Sequence, residues 1–258
     1  LEAEVSSVDS CPREHGCRWR VATTAGTNGD FDVVLLTLPV PQMLALHGEA
    51  LHSAIDEVEG LREGLCKVQY SSRFCLALFY HPADAAAVTL PGGAGLAYIS
   101  NDSPFCYLAL DNIRRGIDTS EGFSVMVHTT RQFGASNLEQ TEEAMLPVLQ
   151  QHFSKLMPHW PPPCHAFCHK WRYSQVTDPV CKEVNSNDGS VSLRGGSLVL
   201  SGDAFTSSNV DGCLTAAASA AAAVLLCCRA GNHFKYCAPF TKRFSLAGKT
   251  SASNMTSF

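Results

Sequence analysis

Two unbroken apolar runs lie near opposite ends of the chain, and they constrain its fold more than any other feature. Phe31-Asp32-Val33-Val34-Leu35-Leu36-Thr37-Leu38 stops at Pro39-Val40-Pro41, and Gly196-Ser197-Leu198-Val199-Leu200-Ser201 runs into Gly202-Asp203. Continuous β-branched and Leu residues without polar alternation mark strands covered on both faces, as in the parallel sheet of an α/β domain. The prolines end the first run because they donate no ladder hydrogen bond. Strands of this kind at both ends imply one domain built from the two ends of the chain, with a second domain inserted between them. The 258 residues suffice for that.

The intervening sequence is of a different kind. Val5 to Val8 and Cys17 to Thr23 form a hairpin, and Gln42 to Leu65 carries apolar residues at helical spacing. Short strands follow at Cys66 to Tyr70, Arg73 to Tyr80, Gly95 to Ser100, Phe105 to Asp111 and Phe123 to Thr130, broken by Gly, Pro, Asn and Ser. Asn137 can cap a helix running to about Leu156, Ala166 to Tyr173 reads as a further strand, and 178–189 as a polar loop. Asp211-Gly212-Cys213 opens an Ala-rich helix through about Leu226. The expected fold is therefore α/β with α+β character, a nucleotide-binding part plus an inserted mixed or antiparallel sheet. The bounds are 1–42 and 196–226 for the first part, 43–195 for the insert, and 227–258 for a disordered or aberrant tail.

Composition narrows function. Apolar residues make up 45% and charged residues only 17%, a folded-protein balance. The net charge of −5 divides into a tail from Cys227 onward that is basic and a body that is strongly acidic. An acidic body argues against nucleic acid as a partner, because phosphate binding needs a positive face. No uninterrupted apolar stretch reaches the roughly 18 to 20 residues that cross a bilayer, so no membrane partner is expected. Among twelve cysteines, Cys66, Cys75, Cys106 and Cys213 read as small buried hydrophobes, and Cys11 and Cys17 flank a turn across which they could pair. Cys164-His165-Ala166-Phe167-Cys168-His169 holds four possible ligands in six residues but lacks the second ligand pair of a closed zinc site, so no metal is expected. The glycine fingerprint G-x-G-x-x-G is missing, and Gly93-Ala94-Gly95 leads into a strand rather than a helix.

Four ordered blocks carry a resemblance. FDVVLLTLPVPQML (31–44), YSSRFCLALFY (70–80), VHTTRQFGAS (127–136) with KWRYSQVT (170–177), and SGDAFTSSNVDGC (201–213) resemble the renalase members of the flavin-dependent amine oxidase-like superfamily. The likeness spans about residues 1 to 226. The superfamily's N-terminal glycine-fingerprint segment has no counterpart, which gives the expectation of a truncated chain. The resemblance implies FAD as cofactor. Gly202 and Asp203 would lie beside its ribityl and pyrophosphate, Val210, Asp211 and Gly212 would bring a helix N-terminus to the pyrimidine edge of the isoalloxazine, and Val5 and Pro39 would line the adenosine end. A helix N-terminus there favours negative charge. For the substrate face it implies His128, Trp171 and Tyr98, with Asn112 or Arg172 orienting polar groups.

The implied activity is oxidation of aberrant NAD(P)H isomers to NAD(P)+, with O2 reduced to H2O2. The partners are then a dihydronicotinamide dinucleotide and O2. Hydride transfer demands position rather than a general base or nucleophile. Two alternatives stay open, an amine oxidase and a non-catalytic signalling or binding fragment. The bland readings of the site residues also stand: His128 and Trp171 as core, and Asp211 as the helix cap. The sequons at Asn101 and Asn254 leave the compartment open.

Overall fold

In a computed structural model the described residues are 4–11, 18–100, 103–180 and 189–230. They separate into two compact units. The first takes the described residues within 1–66, 181–205 and 214–258, and the second those within 67–180 and 206–213.

The first unit contains two three-stranded sheets. β1 (Val5–Ser10), β2 (Trp19–Thr23) and β3 (Asn28–Phe31) form an antiparallel meander. β10 (Ser190–Leu193) runs antiparallel to β11 (Leu198–Ser201), which runs parallel to β4 (Val34–Leu36). The two apolar runs therefore do meet as parallel neighbours, Leu198 opposite Val34 and Leu200 opposite Leu36. The run from Phe31 to Leu38 is not one strand. It breaks at Asp32-Val33, because Phe31 pairs with Trp19 in the meander while Val34 pairs with β11. Burial on both faces holds for β11, whose Leu198, Val199 and Leu200 are inaccessible, but not for β4, where Leu35 is 43% exposed. The buried Trp19 indole donates to Ser197 Oγ at 3.1 Å, and that hydroxyl donates to Arg194 O at 2.9 Å. A hydrogen-bonded indole thus ties the meander to β11.

The helical segment divides into α1 (Val40–Ala45), α2 (Glu49–Asp56) and α3 (Leu61–Cys66). One break falls at Gly48, with φ +132°, where a Cβ would lie 1.9 Å from Val8 O. The close approach lets β1 exchange hydrogen bonds with the α1–α2 turn: Val8 N donates to His47 O at 2.9 Å, and His47 N to Ser6 O at 3.0 Å. Only glycine fits that contact.

The second unit is an antiparallel sheet in the order β6-β7-β8-β5-β9, with β5 (Gln69–Tyr80), β6 (Leu96–Tyr98), β7 (Phe105–Leu110), β8 (Phe123–Thr129) and β9 (His165–Asp178). β5 is one strand, where the sequence suggested two. Its even residues Phe74, Leu76, Leu78 and Tyr80 pack into a core with Leu108, Val125 and Val127. That core is completed by Met145, Leu149 and Phe153 of α6 (Glu142–Leu156). Thr141, not Asn137, caps α6, its Oγ1 accepting from Ala144 N at 3.2 Å. Asn137 instead closes α5 (Arg131–Ser136), which the sequence did not announce, and its Nδ2 donates to Phe133 O at 2.9 Å. α4 (Asp111–Arg115) is likewise additional.

α7 (Val210–Ala230) continues four residues beyond the expected end, so 227–230 is helical, while the rest of the tail (231–258) lies outside the described residues, as do Cys17 and 181–188. By length and composition Val210–Arg229 could cross a membrane, which corrects the reading that no segment qualifies. Its buried stripe Ala216, Ala220, Ala223 and Cys227 includes two alanines that pack on Val199 of β11. Among the cysteines expected to be buried only Cys75 is so; Cys66 and Cys213 are exposed and Cys106 is intermediate. Cys66 and Cys213 lie at helix positions turned to solvent, which apolar neighbours in sequence do not reveal.

Leu149 is fully buried and Val148 partly exposed on the same helix. Leu149→Ala is expected to lower unfolding stability by about 2 to 5 kcal/mol, and Val148→Ala by no more than about 0.5 kcal/mol, in chemical denaturation.

Candidate functional site

Because β5 gives its even side chains to the core, its odd ones line the opposite face. In register there, Tyr98 of β6 pairs with Tyr107 of β7, Tyr107 with His128 of β8, His128 with Cys75 of β5, and Cys75 with His169 of β9. Arg73 and Trp171 form the pair two residues along, about 7 Å away. The three substrate-face residues expected from the sequence, Tyr98, His128 and Trp171, therefore share one face of one sheet. Tyr98 is 81% exposed and Trp171 49%, so neither is core, and His128 is half-buried.

The rings contact one another along this row. Tyr98 and Tyr107 have centroids 5.6 Å apart, Tyr107 and His128 meet edge to face at 5.5 Å, and His169 and Trp171 at 4.8 Å. Edge-to-face pairs add roughly 0.5 to 1.5 kcal/mol beyond area burial and hold the rings in place. Burial, and secondly the charge of Arg73, hold the His128 imidazole below its usual range, so the neutral ring dominates at pH 7. Burial pushes the Cys75 thiol up to about 11, which keeps it protonated and poorly nucleophilic.

Arg73 and Tyr107 were not foreseen. Tyr107 could have been found by carrying the alternation of β8 across to β7, and Arg73 by its position as a cation inside an apolar strand. Its Nη1 donates to Thr129 O at 3.0 Å and Cys106 Sγ at 3.2 Å, and its Nη2 to Gln175 Oε1 at 3.2 Å. Arg172, expected from the resemblance to orient substrate, is held instead by Glu139 through contacts of 2.9 to 3.1 Å. The Cys164 to His169 run is spread by the strand. Cys168 is buried in the core, Cys164 donates to Phe79 O, and His169 Nδ1 lies 3.1 Å from Glu142. Among the described residues no cluster of three metal-ligating side chains forms.

In the second unit, Asn209 caps α7. Its Oδ1 accepts from Gly212 N at 2.7 Å, so Asp211 is not the cap. Thr206 Oγ1 donates to Gly212 O at 2.9 Å, and a Cβ on Gly212 would meet Ser207 O at 2.2 Å. The first turn is thereby pinned with Val210 and Asp211 facing solvent and Gly212 inside.

In the first unit, Gly202 and Asp203 follow β11 directly, at the carboxyl end of the parallel pair. Gly202 has φ +128°, and a Cβ there would lie 3.3 Å from Thr37 O. Pro39 is the N-cap residue of α1 and accepts from Met43 N at 3.0 Å. Val5 lines a separate cavity of about 450 Å³ with Ser6, Leu38, Gln42 and His47. Carboxyl ends of parallel strands are where open α/β sheets bind ligands.

The model described as flavin containing amine oxidoreductase matches residues 1–225. The chain belongs to the flavin-containing amine oxidoreductase family. It is 38% identical over 202 residues to renalase of Mus musculus, an alignment covering 78% of this chain and 56% of that protein. The chain thus spans about half the length of this curated relative. Among solved structures, a putative protoporphyrinogen oxidase from Exiguobacterium sp. matches at 14% identity with a TM-score of 0.59, covering 89% of this chain and 47% of that one. Putrescine oxidase bound to putrescine matches at 10% identity and TM-score 0.58, covering 89% and 49%. These likenesses support the mixed helix and sheet fold.

At Gly202 the backbone approaches Thr37 so closely that a side chain would crowd the gap, and separately, in the second unit, the α7 N-terminus is held by its Asn209 cap.

Two outcomes are expected. Asn209→Ala should lower unfolding stability by about 1 kcal/mol through loss of the cap, measured by denaturant unfolding. The His128 ring should titrate below pH 6.5 by NMR. A depressed folded pKa means that the unfolded chain takes up the proton first. Stability is therefore undiminished above pH 6.5 and falls as pH drops from there through the folded pKa, and His128→Gln should flatten that fall.

Proposed function

We propose that this chain carries the substrate face and part of the cofactor site of an FAD-dependent oxidase that converts isomeric dihydronicotinamide dinucleotides to NAD(P)+. A hydride leaves the dihydronicotinamide ring, and the electron pair passes on to O2, which with two protons gives H2O2. On sequence grounds residues 1–42 and 196–226 are assigned to FAD and 43–195 to substrate. Gly202 and Asp203 would flank the ribityl and pyrophosphate, Val5 and Pro39 the adenosine end, and Val210, Asp211 and Gly212 the pyrimidine edge.

One observation carries the reading: the open sheet face on which Tyr98, Tyr107, His128 and Trp171 stand in adjoining rungs. Such a face suits a flat heteroaromatic ring, which it holds by stacking. Bound FAD supplies the hydride acceptor. Tyr107 and Trp171 orient the ring, and His128, neutral at pH 7, offers an N–H to a carboxamide oxygen. No residue on this face needs to act as a base, and the protonated Cys75 thiol does not compete as a nucleophile.

The experiment is anaerobic mixing of the flavin-loaded chain with isomeric dihydronicotinamide dinucleotides and, separately, with primary amines. The expected result is bleaching of the flavin by the dihydronicotinamides alone, with Trp171→Ala slowing it on the order of tenfold to a hundredfold through loss of orientation. Bleaching by amines alone would overturn the reading.

A further inference from the structure

Arg73 is a cation whose hydrogen-bonding partners among the described residues are all uncharged. It stands on the open face of the sheet, partly exposed, in the pair next to the ring row and opposite Trp171. Its acceptors are a carbonyl (Thr129 O, 3.0 Å), a thiol sulfur (Cys106 Sγ, 3.2 Å) and a carboxamide (Gln175 Oε1, 3.2 Å). Among the described residues no carboxylate pairs with it. The acids of neighbouring elements are engaged elsewhere: Glu142 with His169 and the Lys170 backbone N–H, Glu139 with Arg172, and Asp111 with Arg115. The three neutral contacts fix the guanidinium plane through Nη1 and one Nη2 hydrogen, and they leave Nε–H and the second Nη2 hydrogen without a partner among the described residues.

A guanidinium fixed in place without a counter-charge costs solvation energy that neutral acceptors return only in part. Two unused donors in a planar fork match the oxygens of a phosphate or carboxylate. Around the ring row the other titratable groups are Tyr98, Tyr107, Cys75, Cys106, His128, His165 and His169, none of them a carboxylic acid; Asp178 of β9 pairs with Gln69 at the end of β5, four residues from Arg73. A protonated amine placed over the rings would therefore meet one fixed positive charge that no carboxylate among the described residues offsets.

We infer that Arg73 is the specificity-determining residue of this face, selecting ring substrates that carry a phosphate oxyanion and turning away protonated amines. The inference rests on the reading of the face as a dihydronicotinamide site and adds the feature that selects the substrate class. Arg73 reaches the oxyanion one rung from the rings, so the ring and its phosphate are gripped by different residues. Charge and stacking can then be removed independently.

The test is equilibrium binding to the full chain, followed by ligand fluorescence and by calorimetry. The ligands are dihydronicotinamide mononucleotide, dihydronicotinamide riboside, which lacks only the phosphate, and benzylamine. Wild type is expected to bind the mononucleotide at least tenfold more tightly than the riboside, and benzylamine more weakly than either. Arg73→Gln should bring mononucleotide affinity down to that of the riboside while leaving the riboside unchanged, and Arg73→Lys should keep part of the preference. Circular dichroism checks that both variants are folded; if Arg73→Gln is not, Arg73→Lys combined with the ionic-strength dependence of the wild-type preference decides. Equal binding of mononucleotide and riboside by wild type, or a preference that survives in folded Arg73→Gln, overturns the inference alone. Failure of both the mononucleotide and the riboside to bind folded wild type overturns the reading of the face as well.

Discussion

The second unit depends on the two-sidedness of β5. Its even residues, Phe74 through Tyr80, are the apolar floor on which α6 closes, and that burial fixes the register of β8 and β9 against it. A shift of one residue would bury Arg73 in the apolar core and expose Leu76 and Leu78, a change opposed by the solvation of a charge and by several kcal/mol of apolar transfer. The same constraint decides which side chains face outward. The ring row and the fixed cation are therefore consequences of how the core is packed, and the candidate site inherits its rigidity from residues that never touch a ligand.

The first unit works by close backbone approach rather than by side-chain packing. Gly48 lets β1 exchange hydrogen bonds with the turn before α2, and Gly202 lets the chain leave β11 beside Thr37. Each is a position where a Cβ would collide or crowd, and the second stands at the carboxyl end of a parallel strand pair. In the second unit, Asn209 performs a comparable service for α7 by using its side chain on Gly212 N–H, which fixes where the helix begins. Within each unit these features bring backbone N–H groups and ends of elements to defined places.

Much of this could be read from the chain alone, for identifiable reasons. Periodicity exposed the strands of the inserted sheet and the pairing partners of the parallel sheet, because burial writes alternation or its absence directly into sequence. It could not show that Phe31 and Val34 belong to different sheets, since both are apolar and the break at Asp32 depends on tertiary partners. Nor did it separate α5 from α6, where Thr141 rather than Asn137 makes the cap, although Asn is the stronger capping residue of the two. Tyr98, His128 and Trp171 came from resemblance, and their shared face follows from registers that no local pattern contains. Arg73 was visible as an oddity in an apolar strand, but its uncharged surroundings come from β7, β8 and β9, which are distant in sequence. Arg172, adjacent to Trp171, shows the converse, a charged residue absorbed by Glu139 on a neighbouring segment.

The central claim is that one face of the five-stranded sheet receives the substrate ring. Side-chain NMR distinguishes the two faces, because Trp171 lies on the open one and Trp160 packs against the core on the other. On addition of dihydronicotinamide mononucleotide, the indole signal of Trp171 and the ring signals of His128 should shift together while those of Trp160 stay in place. Shifts confined to Trp160, with Trp171 and His128 unmoved, would contradict the account.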